Sequence, residues 1–418
     1  MPDITAPIGT ADTLPDEAAK WQAIERAARE TSALYHFKEI RTPILEHTEL
    51  FHRGAGETTD IVTKETYTFT DRGGRSITLR PEQTAGVVRA VVESKLLNDP
   101  GSIVKVFYLG PNFRYERPQK GRLRQHHQFG VEAFGVANPE QDVECILLQL
   151  AFYQRCGLKD LALRINSLGD RESKLRYREL LVNHLSPRRE SLSEESQRRL
   201  ETNPLRILDS KDPRDVEACK GAPPASESLT EKSKQHFETV ARLLEQAQVS
   251  FTIDGALVRG FDYYTDTLWE VTAGGLGSQN AIGGGGRYDN LVEQLGGKPT
   301  PGVGFGSGLE RLLIALDAQR VALPIEKKPL VWLISHGDAA RSANVRLLQE
   351  LRAAGIVSDM DLAGRKVDKQ FKRADREGAS WCIIVGDAEL AGGTVNLKNM
   401  VTQEQVSVER SEVFEKLR

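Results

Sequence analysis

Phe113-Arg114-Tyr115-Glu116-Arg117-Pro118-Gln119-Lys120-Gly121-Arg122-Leu123-Arg124-Gln125-His126-His127-Gln128-Phe129-Gly130-Val131-Glu132 has a strand-forming run at each end and a charged loop between them. The loop sets Arg114, Arg117, Lys120, Arg122 and Arg124 against one acid, Glu116. Guanidinium groups bind phosphate through paired, charge-assisted hydrogen bonds, so the loop suits a polyphosphate or a nucleic-acid backbone. A solvated charged hairpin fits this stretch alone equally well. Further strand-like runs lie at 77–80, 104–109 and 128–134, and Asp71-Arg72-Gly73-Gly74 is a turn. Strands that follow one another through tight turns predict an antiparallel sheet. Thr42-Pro43-Ile44-Leu45 reads as an extended edge, because proline removes a ladder donor.

With 418 residues the chain is long enough for two or three domains. No window of 18 apolar residues exists, which excludes a membrane-spanning helix, and the N-terminus lacks the basic and apolar regions of a signal peptide. Cys145, Cys156, Cys219 and Cys382 form no CxxC pair and no zinc spacing, so reduced thiols in a cytoplasmic protein are expected. The net charge of −3 does not announce a nucleic-acid partner, but such a partner needs only local basic patches.

Pro15, followed by Asp16 and Glu17, opens a helix with Trp21, Ile24, Ala28, Thr31 and Tyr35 at helical spacing. Residues 168–245 are rich in Arg, Glu, Ser and Leu and read as a helical insertion. Strand signals return at 251–253 and 268–272, before the glycine-dense 283–286. Residues 324–329 form a linker, which sets domains at 1–325 and 326–418. Strand and helix then alternate: strands at 330–335, 356–360 and 381–385, and helices ending at Gly355 and spanning 365–377. That alternation predicts a small α/β domain with a largely parallel sheet. The 365–377 helix sets six cations against three acids, and either backbone phosphate or solvent satisfies such a face.

Two other stretches carry chemistry. Leu257-Val258-Arg259-Gly260-Phe261-Asp262-Tyr263-Tyr264 could line a small polar pocket, although ordinary core aromatics would account for the tyrosines alone. Gly302-Val303-Gly304-Phe305-Gly306-Ser307-Gly308-Leu309-Glu310-Arg311-Leu312-Leu313 lacks the βαβ context of a dinucleotide fingerprint. Its glycines suit a strand that a ligand approaches closely, with a helix from about Leu309. Arg311 at that helix start is poorly placed for a cation, which points to an anionic partner. No GxxxxGK[ST] loop and no HExxH occur.

Together these stretches resemble the class II aminoacyl-tRNA synthetases, and specifically the histidyl-tRNA synthetase family. Residues 38–51 are similar to motif 1, 113–132 to motif 2 and 302–313 to motif 3. Residues 257–264 and Gly284-Gly285-Gly286-Arg287-Tyr288-Asp289-Asn290-Leu291 resemble the two histidine-specific signatures, and Leu79-Arg80-Pro81-Glu82-Gln83-Thr84 the substrate-amine segment. The resemblance implies a catalytic domain with an antiparallel sheet flanked by helices, a helical insertion, and a C-terminal α/β anticodon-binding domain. It implies Glu82, Thr84 and Gln128 at the substrate ammonium, and Glu132 with Tyr263 or Tyr264 at the imidazole. It places Arg114 and Arg259 on the α-phosphate of ATP, Arg259 where other class II enzymes hold a metal. Glu116 and His126 would meet the adenine, and Arg122 and Arg311 the outer phosphates with Mg2+. Gln119 would read the 5′ end of histidine tRNA, the insertion would touch the acceptor stem, and motif 1 would form a homodimer.

Two positions depart from the family pattern. Ile8 in Pro7-Ile8-Gly9-Thr10-Ala11-Asp12 stands where the family usually has arginine, and Gln83 where relatives commonly have glycine. Gln83 is expected to keep strand geometry and point away from the pocket. The chief rival is a paralogue that serves as a regulatory subunit of ATP phosphoribosyltransferase; such paralogues typically lack the C-terminal domain and part of the arginine set.

Overall fold

A computed structural model describes residues 3–55, 60–119, 121–276, 280–325 and 328–417. The chain divides into two compact units, Met1–Pro324 and Ile325–Arg418. The first is built on an eight-stranded sheet in the order Lys38–Glu39, Val104–Phe113, Gln125–Phe134, Gly302–Gly308, Ala281–Arg287, Thr265–Ala273, Leu161–Ser167, Phe251–Ile253. The interior pairings are antiparallel, and the two edge strands run parallel to their neighbours. A parallel pairing needs a long crossover, and both have one: residues 40–103 separate Lys38–Glu39 from Val104–Phe113, and a helical stretch ending in Glu231–Gln246 separates Leu161–Ser167 from Phe251–Ile253.

Strand Val104–Phe113 runs beyond the end read at Leu109, through Gly110 and Pro111. The Pro111 carbonyl still works, accepting from Arg80 Nε at 2.9 Å. Along Gln125–Phe134 the side chains alternate with period two. Phe129, Val131 and Ala133 enter the main core with Ile146 and Phe152 of helix Pro139–Arg155. His126, Gln128 and Glu132 fall on the opposite face, which stays open to a ligand. A separate three-stranded antiparallel sheet orders Leu45–His47, Ser76–Leu79 and Tyr67–Thr70. The edge strand thus begins where the extended reading of 42–45 ended, just past Pro43, whose missing N–H cannot join a ladder.

Between sheet strands Leu161–Ser167 and Phe251–Ile253 the chain is helical: Arg171–Leu185, Glu194–Thr202, Pro213–Ala218 and Glu231–Gln246. Side-chain caps start these helices. Asp170, Ser193, Asp212 and Thr230 each accept a first-turn backbone N–H. Leu185, Leu192, Leu200, Ile207 and Ala218 form a small core of their own.

The second unit has a five-stranded sheet in the order Ser358–Met360, Val331–Ser335, Trp381–Val385, Thr394–Asn399, Gln405–Glu409. Only the first two pairings are parallel; the last two strands add antiparallel. The sheet is therefore mixed, where strand–helix alternation predicted a largely parallel one. The closing 394–409 hairpin has few apolar residues on its outer strand, which hid it. Val331 and Leu333 face helix Asp338–Ala353, and Trp332 and Ile334 face helix Val367–Arg376. Cover on both faces makes the strand read as a continuous apolar run. The basic helix starts at Val367, not 365, because the Arg365 N–H is bound by Asp361 at 3.0 Å.

One buried ion pair ties the first unit's sheet to its main helix. Arg287 is 1% exposed and meets Asp142, which is fully buried; its Nε donates to Asp142 Oδ1 at 3.2 Å. Further acceptors are Asp289 at 3.1 Å and the Val136 and Asn138 carbonyls at 3.0 and 3.3 Å. Burial opposes the Asp142 charge, but Arg287 outweighs it and the carboxyl lies below its ordinary range. Arg287→Met would leave that carboxylate with His236, at 3.4 Å, as its side-chain partner. It is expected to lower stability by about 3–5 kcal/mol, read as a shift of the urea transition. An unchanged midpoint would mean that Asp142 is satisfied without Arg287.

Candidate functional site

The sheet register builds the floor of the site. One cross-strand row reads Tyr108, Gly130, Gly306, Gly284, Glu270, Arg164, so glycine occupies three adjacent strands in succession. Strands lie about 4.8 Å apart, so this strip without side chains spans roughly 10 Å. The next row places Glu132 beside Gly304 and Gly286. A Cβ on Gly304 would lie 2.0 Å from Glu132 Oε2, and one on Gly284 2.9 Å from an Arg259 guanidinium nitrogen. These glycines leave room for charged side chains and a ligand, which is the physical content of the glycine-rich motifs. Above the floor is a cavity of about 640 Å³.

At one end of the cavity Glu132 is 1% exposed. Its carboxylate accepts from Thr84 Oγ1 at 2.7 Å, from Tyr108 Oη at 3.2 Å and from the Tyr288 hydroxyl. Burial raises its pKa to about 8 even against these donors. Glu82, also buried, accepts the backbone N–H groups of Thr84 at 2.6 Å and Ala85 at 2.9 Å, at the start of helix Thr84–Glu93. A carboxylate has about four acceptor sites, so acceptor capacity remains toward the cavity. Burial raises its pKa as well. Asn112 Nδ2 donates to Gln128 Oε1 at 2.7 Å and orients that side chain.

Arginines gather at the other end. Arg114 donates from Nε to the Pro81 carbonyl at 2.8 Å and lies 5.7 Å from the Phe261 ring centre. Glu116 sits between Arg122 at 3.3 Å and Arg114 at 3.8 Å. Arg311 reaches the Gly121 carbonyl at 3.2 Å and the Ala281 carbonyl at 2.7 Å, joining the charged loop to the sheet. Burial, followed by Arg122, pushes its pKa down. Arg259 bonds Glu270 at 3.1 Å, while its buried Nε has no hydrogen-bond partner among the described residues. His126 is held neutral: burial, then Arg114, His127 and Arg311, lower its pKa to about 3. Tyr263 and Tyr264 are buried with ring centres 4.7 Å apart, and Tyr263 stacks on Phe261 at 5.1 Å.

Thus Glu82, Thr84, Arg114, Glu116, Arg122, His126, Gln128, Glu132, Arg259, Tyr263, Tyr264 and Arg311 all line one cavity. Gln119 does not; it pairs with Arg122 at the exposed tip of the loop. Lys120 lies outside the described residues. Gln83 departs from the expectation of strand geometry: it has helical backbone angles ahead of Thr84–Glu93, and its amide donates to the Gly110 carbonyl at 3.3 Å, away from the cavity. Ile8 is 75% exposed; its neighbour Gly9 makes the contact, accepting from Arg124 N–H at 2.7 Å. Sequence reasoning missed Tyr108, Asn112, Tyr288 and Glu270. The period-two register with His126 to Glu132 would have found the first two.

Among the described residues no group of three or more His, Cys, Asp or Glu could hold a metal, and no helix is long and apolar enough to cross a membrane.

The chain matches the histidyl-tRNA synthetase family model over residues 9–312 and the anticodon binding domain model over 323–418. It is 49% identical over 404 residues to a histidine–tRNA ligase of Bacillus subtilis, covering 96% of this chain and 95% of that one. A crystal structure of apo histidyl-tRNA synthetase from S. aureus superimposes with a TM-score of 0.85 at 40% identity, covering 99% of this chain and 100% of that one. A Bacillus halodurans structure described as an ATP phosphoribosyltransferase regulatory subunit/histidyl-tRNA synthetase gives 0.65 at 23% identity, covering 91% and 97%, and shares the fold. With both family models matched in order and identity near one half along the whole length, the chain belongs to the histidyl-tRNA synthetase family.

Proposed function

We propose that the chain activates L-histidine with ATP and loads it onto histidine tRNA, with the cavity over the glycine floor as the active site. The observation that carries this reading is one cavity that sets a buried acceptor, Glu132, at one end and four arginines at the other. The imidazole has two distinct nitrogens and needs a fixed polar partner. Glu132, backed by Thr84, Tyr108 and Tyr288, supplies the acceptor, with Tyr263 or Tyr264 as the second contact. Glu82, Thr84 and Gln128 take the ammonium. The triphosphate lies along the floor, with Arg114 and Arg259 on the α-phosphate and Arg122 and Arg311 on the outer phosphates. Glu116 accepts from the adenine amine, and neutral His126 covers the ring. Mg2+ arrives on the phosphates of ATP, its usual mode when no protein cage exists.

Histidine's carboxylate then attacks the α-phosphorus in line, pyrophosphate leaves, and arginines already in place stabilise the charge that develops on the phosphate oxygens. The terminal ribose hydroxyl of the tRNA attacks the adenylate carbonyl and AMP leaves. Gln119, at the loop tip, faces the tRNA end in this reading. The insertion at 168–245 belongs to the catalytic domain at 1–325, and 326–418 binds the anticodon. A homodimer through 38–51 is part of the same proposal, supported by Ile44 and Leu45, which are 41% and 49% exposed. So is a cytoplasmic setting, supported by four free cysteines.

ATP–pyrophosphate exchange with each of the twenty amino acids in turn tests the reading. Exchange with histidine alone is the expected result. Exchange with another amino acid overturns the pocket assignment, and none at all in folded protein favours the regulatory paralogue.

Lys369 and Lys372, both on the helix Val367–Arg376, test the anticodon assignment in the full chain. Converting both to Glu is expected to leave exchange unchanged, lower tRNA charging at least tenfold, and reduce the salt slope of tRNA binding by about 2. Wild-type charging would remove this helix from the tRNA contact.

A further inference from the structure

Residues 254–264 connect strands Phe251–Ile253 and Thr265–Ala273 and form no strand themselves. Their backbone carbonyls therefore need donor partners from elsewhere. The Leu257 carbonyl receives Asn166 Nδ2 of the sheet at 2.9 Å. Three others receive side chains from the helical segment. Lys174 Nζ donates to the Asp262 carbonyl at 2.9 Å and to the Tyr264 carbonyl at 3.0 Å. Arg206 donates to the Arg259 carbonyl at 3.1 Å. Asn203 Nδ2 also holds the Asp262 carboxylate at 2.9 Å. Below these bonds Tyr177 and Leu181 of the helical segment share one core with Leu257, Tyr263 and Tyr264.

We propose that Lys174, Asn203 and Arg206 are positioning residues: they fix the loop that carries Arg259, Tyr263 and Tyr264 and so make the active-site geometry depend on the helical segment. The inference rests on the functional reading for its kinetic consequence, but not for the clamp itself. The chemistry suits the task. An ammonium has three rotatable donors and can bridge two carbonyls two residues apart. Both Lys174 bonds are part-buried, where such bonds are stronger than in open water, and burial also lowers the Lys174 pKa from the ordinary lysine range. Because the loop leans on the helical segment as well as on the sheet, a tRNA that shifts this segment would move Arg259 and the tyrosines with it.

The test uses the full chain with Lys174→Met, Lys174→Arg and Asn203→Ala. Two readouts are taken: hydrogen–deuterium exchange of amides 257–264, and kcat and KM for histidine in pyrophosphate exchange. Lys174→Met is expected to speed loop exchange at least tenfold, with helix Pro139–Arg155 still protected, and to lower kcat at least tenfold. Lys174→Arg, which keeps the cation, should retain at least a third of kcat. Loop amides as protected in Lys174→Met as in the parent chain overturn the proposal, whatever the activity. So does a kcat loss that Lys174→Arg shares in full. If Lys174→Met does not fold, Asn203→Ala decides by the same criterion: protection unchanged overturns the clamp, protection lost supports it. A parent chain that fails to activate histidine would sink the functional reading alone, since loop protection still reads the clamp.

Discussion

Arg259→Ala is expected to lower histidine-dependent ATP–pyrophosphate exchange by about 10³-fold, the scale seen when one preorganised donor to a developing oxyanion is removed, with little change in histidine affinity. The expectation comes from where the guanidinium stands. It projects over Gly284, where an added Cβ would lie 2.9 Å from it, so the floor is bare where Arg259 crosses it. One nitrogen is held by Glu270, and its buried Nε has no partner among the described residues. A donor oriented on one side and unspent on the other is ready for an anion. Glu270 keeps Arg164 as a second partner, so the alanine variant should fold. Arg259→Lys should recover little, because a single ammonium cannot present the planar fork. Histidine affinity from calorimetry alongside exchange rates checks the split. Exchange at the parent rate would take Arg259 out of the reaction.

Glu132→Gln is expected to raise KM for histidine by about 10²-fold, equivalent to ~2–3 kcal/mol for a buried hydrogen bond to a charged group left imperfectly made. Thr84, Tyr108 and Tyr288 all donate to this carboxylate, and an amide presents them with one acceptor oxygen and one competing donor. The pH dependence follows from the direction of the shift. Burial raises Glu132 to about 8, so the proton stays on at lower pH and the full acceptor forms only as pH climbs through that value. Free imidazole loses its own proton near pH ~6.5. KM for histidine should therefore fall between about pH 6.5 and 8, then level. The glutamine variant should lose the upper part of that fall. An identical pH profile in both proteins would deny Glu132 the imidazole contact.

Much of the candidate site was legible because its residues announce themselves by chemical type. Arginines crowded around one acid in 113–124 repel one another until an anion joins them, and glycines alternating in 302–308 leave a strand bare for close approach. The twelve cavity residues named from motifs do line one cavity. What stayed hidden were the partners. Tyr108 lay in a strand-like run and Tyr288 in a glycine-dense signature without a role of its own, and nothing marked Asn112. Each matters through a neighbour distant in the chain: Tyr108 lies across from Gly130, and Tyr288 reaches back to Glu132. The mixed sheet of the second unit was misread for a similar reason. The strand–helix alternation ended at 381–385, and the hairpin at 394–409, with few apolar residues on its outer strand, was not read as strands that add antiparallel at the edge.

The sequence by itself therefore determined most of the element types and the inventory of charged groups, and it marked the linker beside which the two units divide. Those follow from periodicity, turn residues and side-chain chemistry, which act over a few positions. Only the tertiary structure decided that three glycines from three different strands fall in one row. It also decided that Glu132 is buried deeply enough to hold its proton to about 8, and that the helical segment grips the loop bearing Arg259. Register, desolvation and cross-segment hydrogen bonds depend on which distant residues share the same space, and no local pattern encodes that.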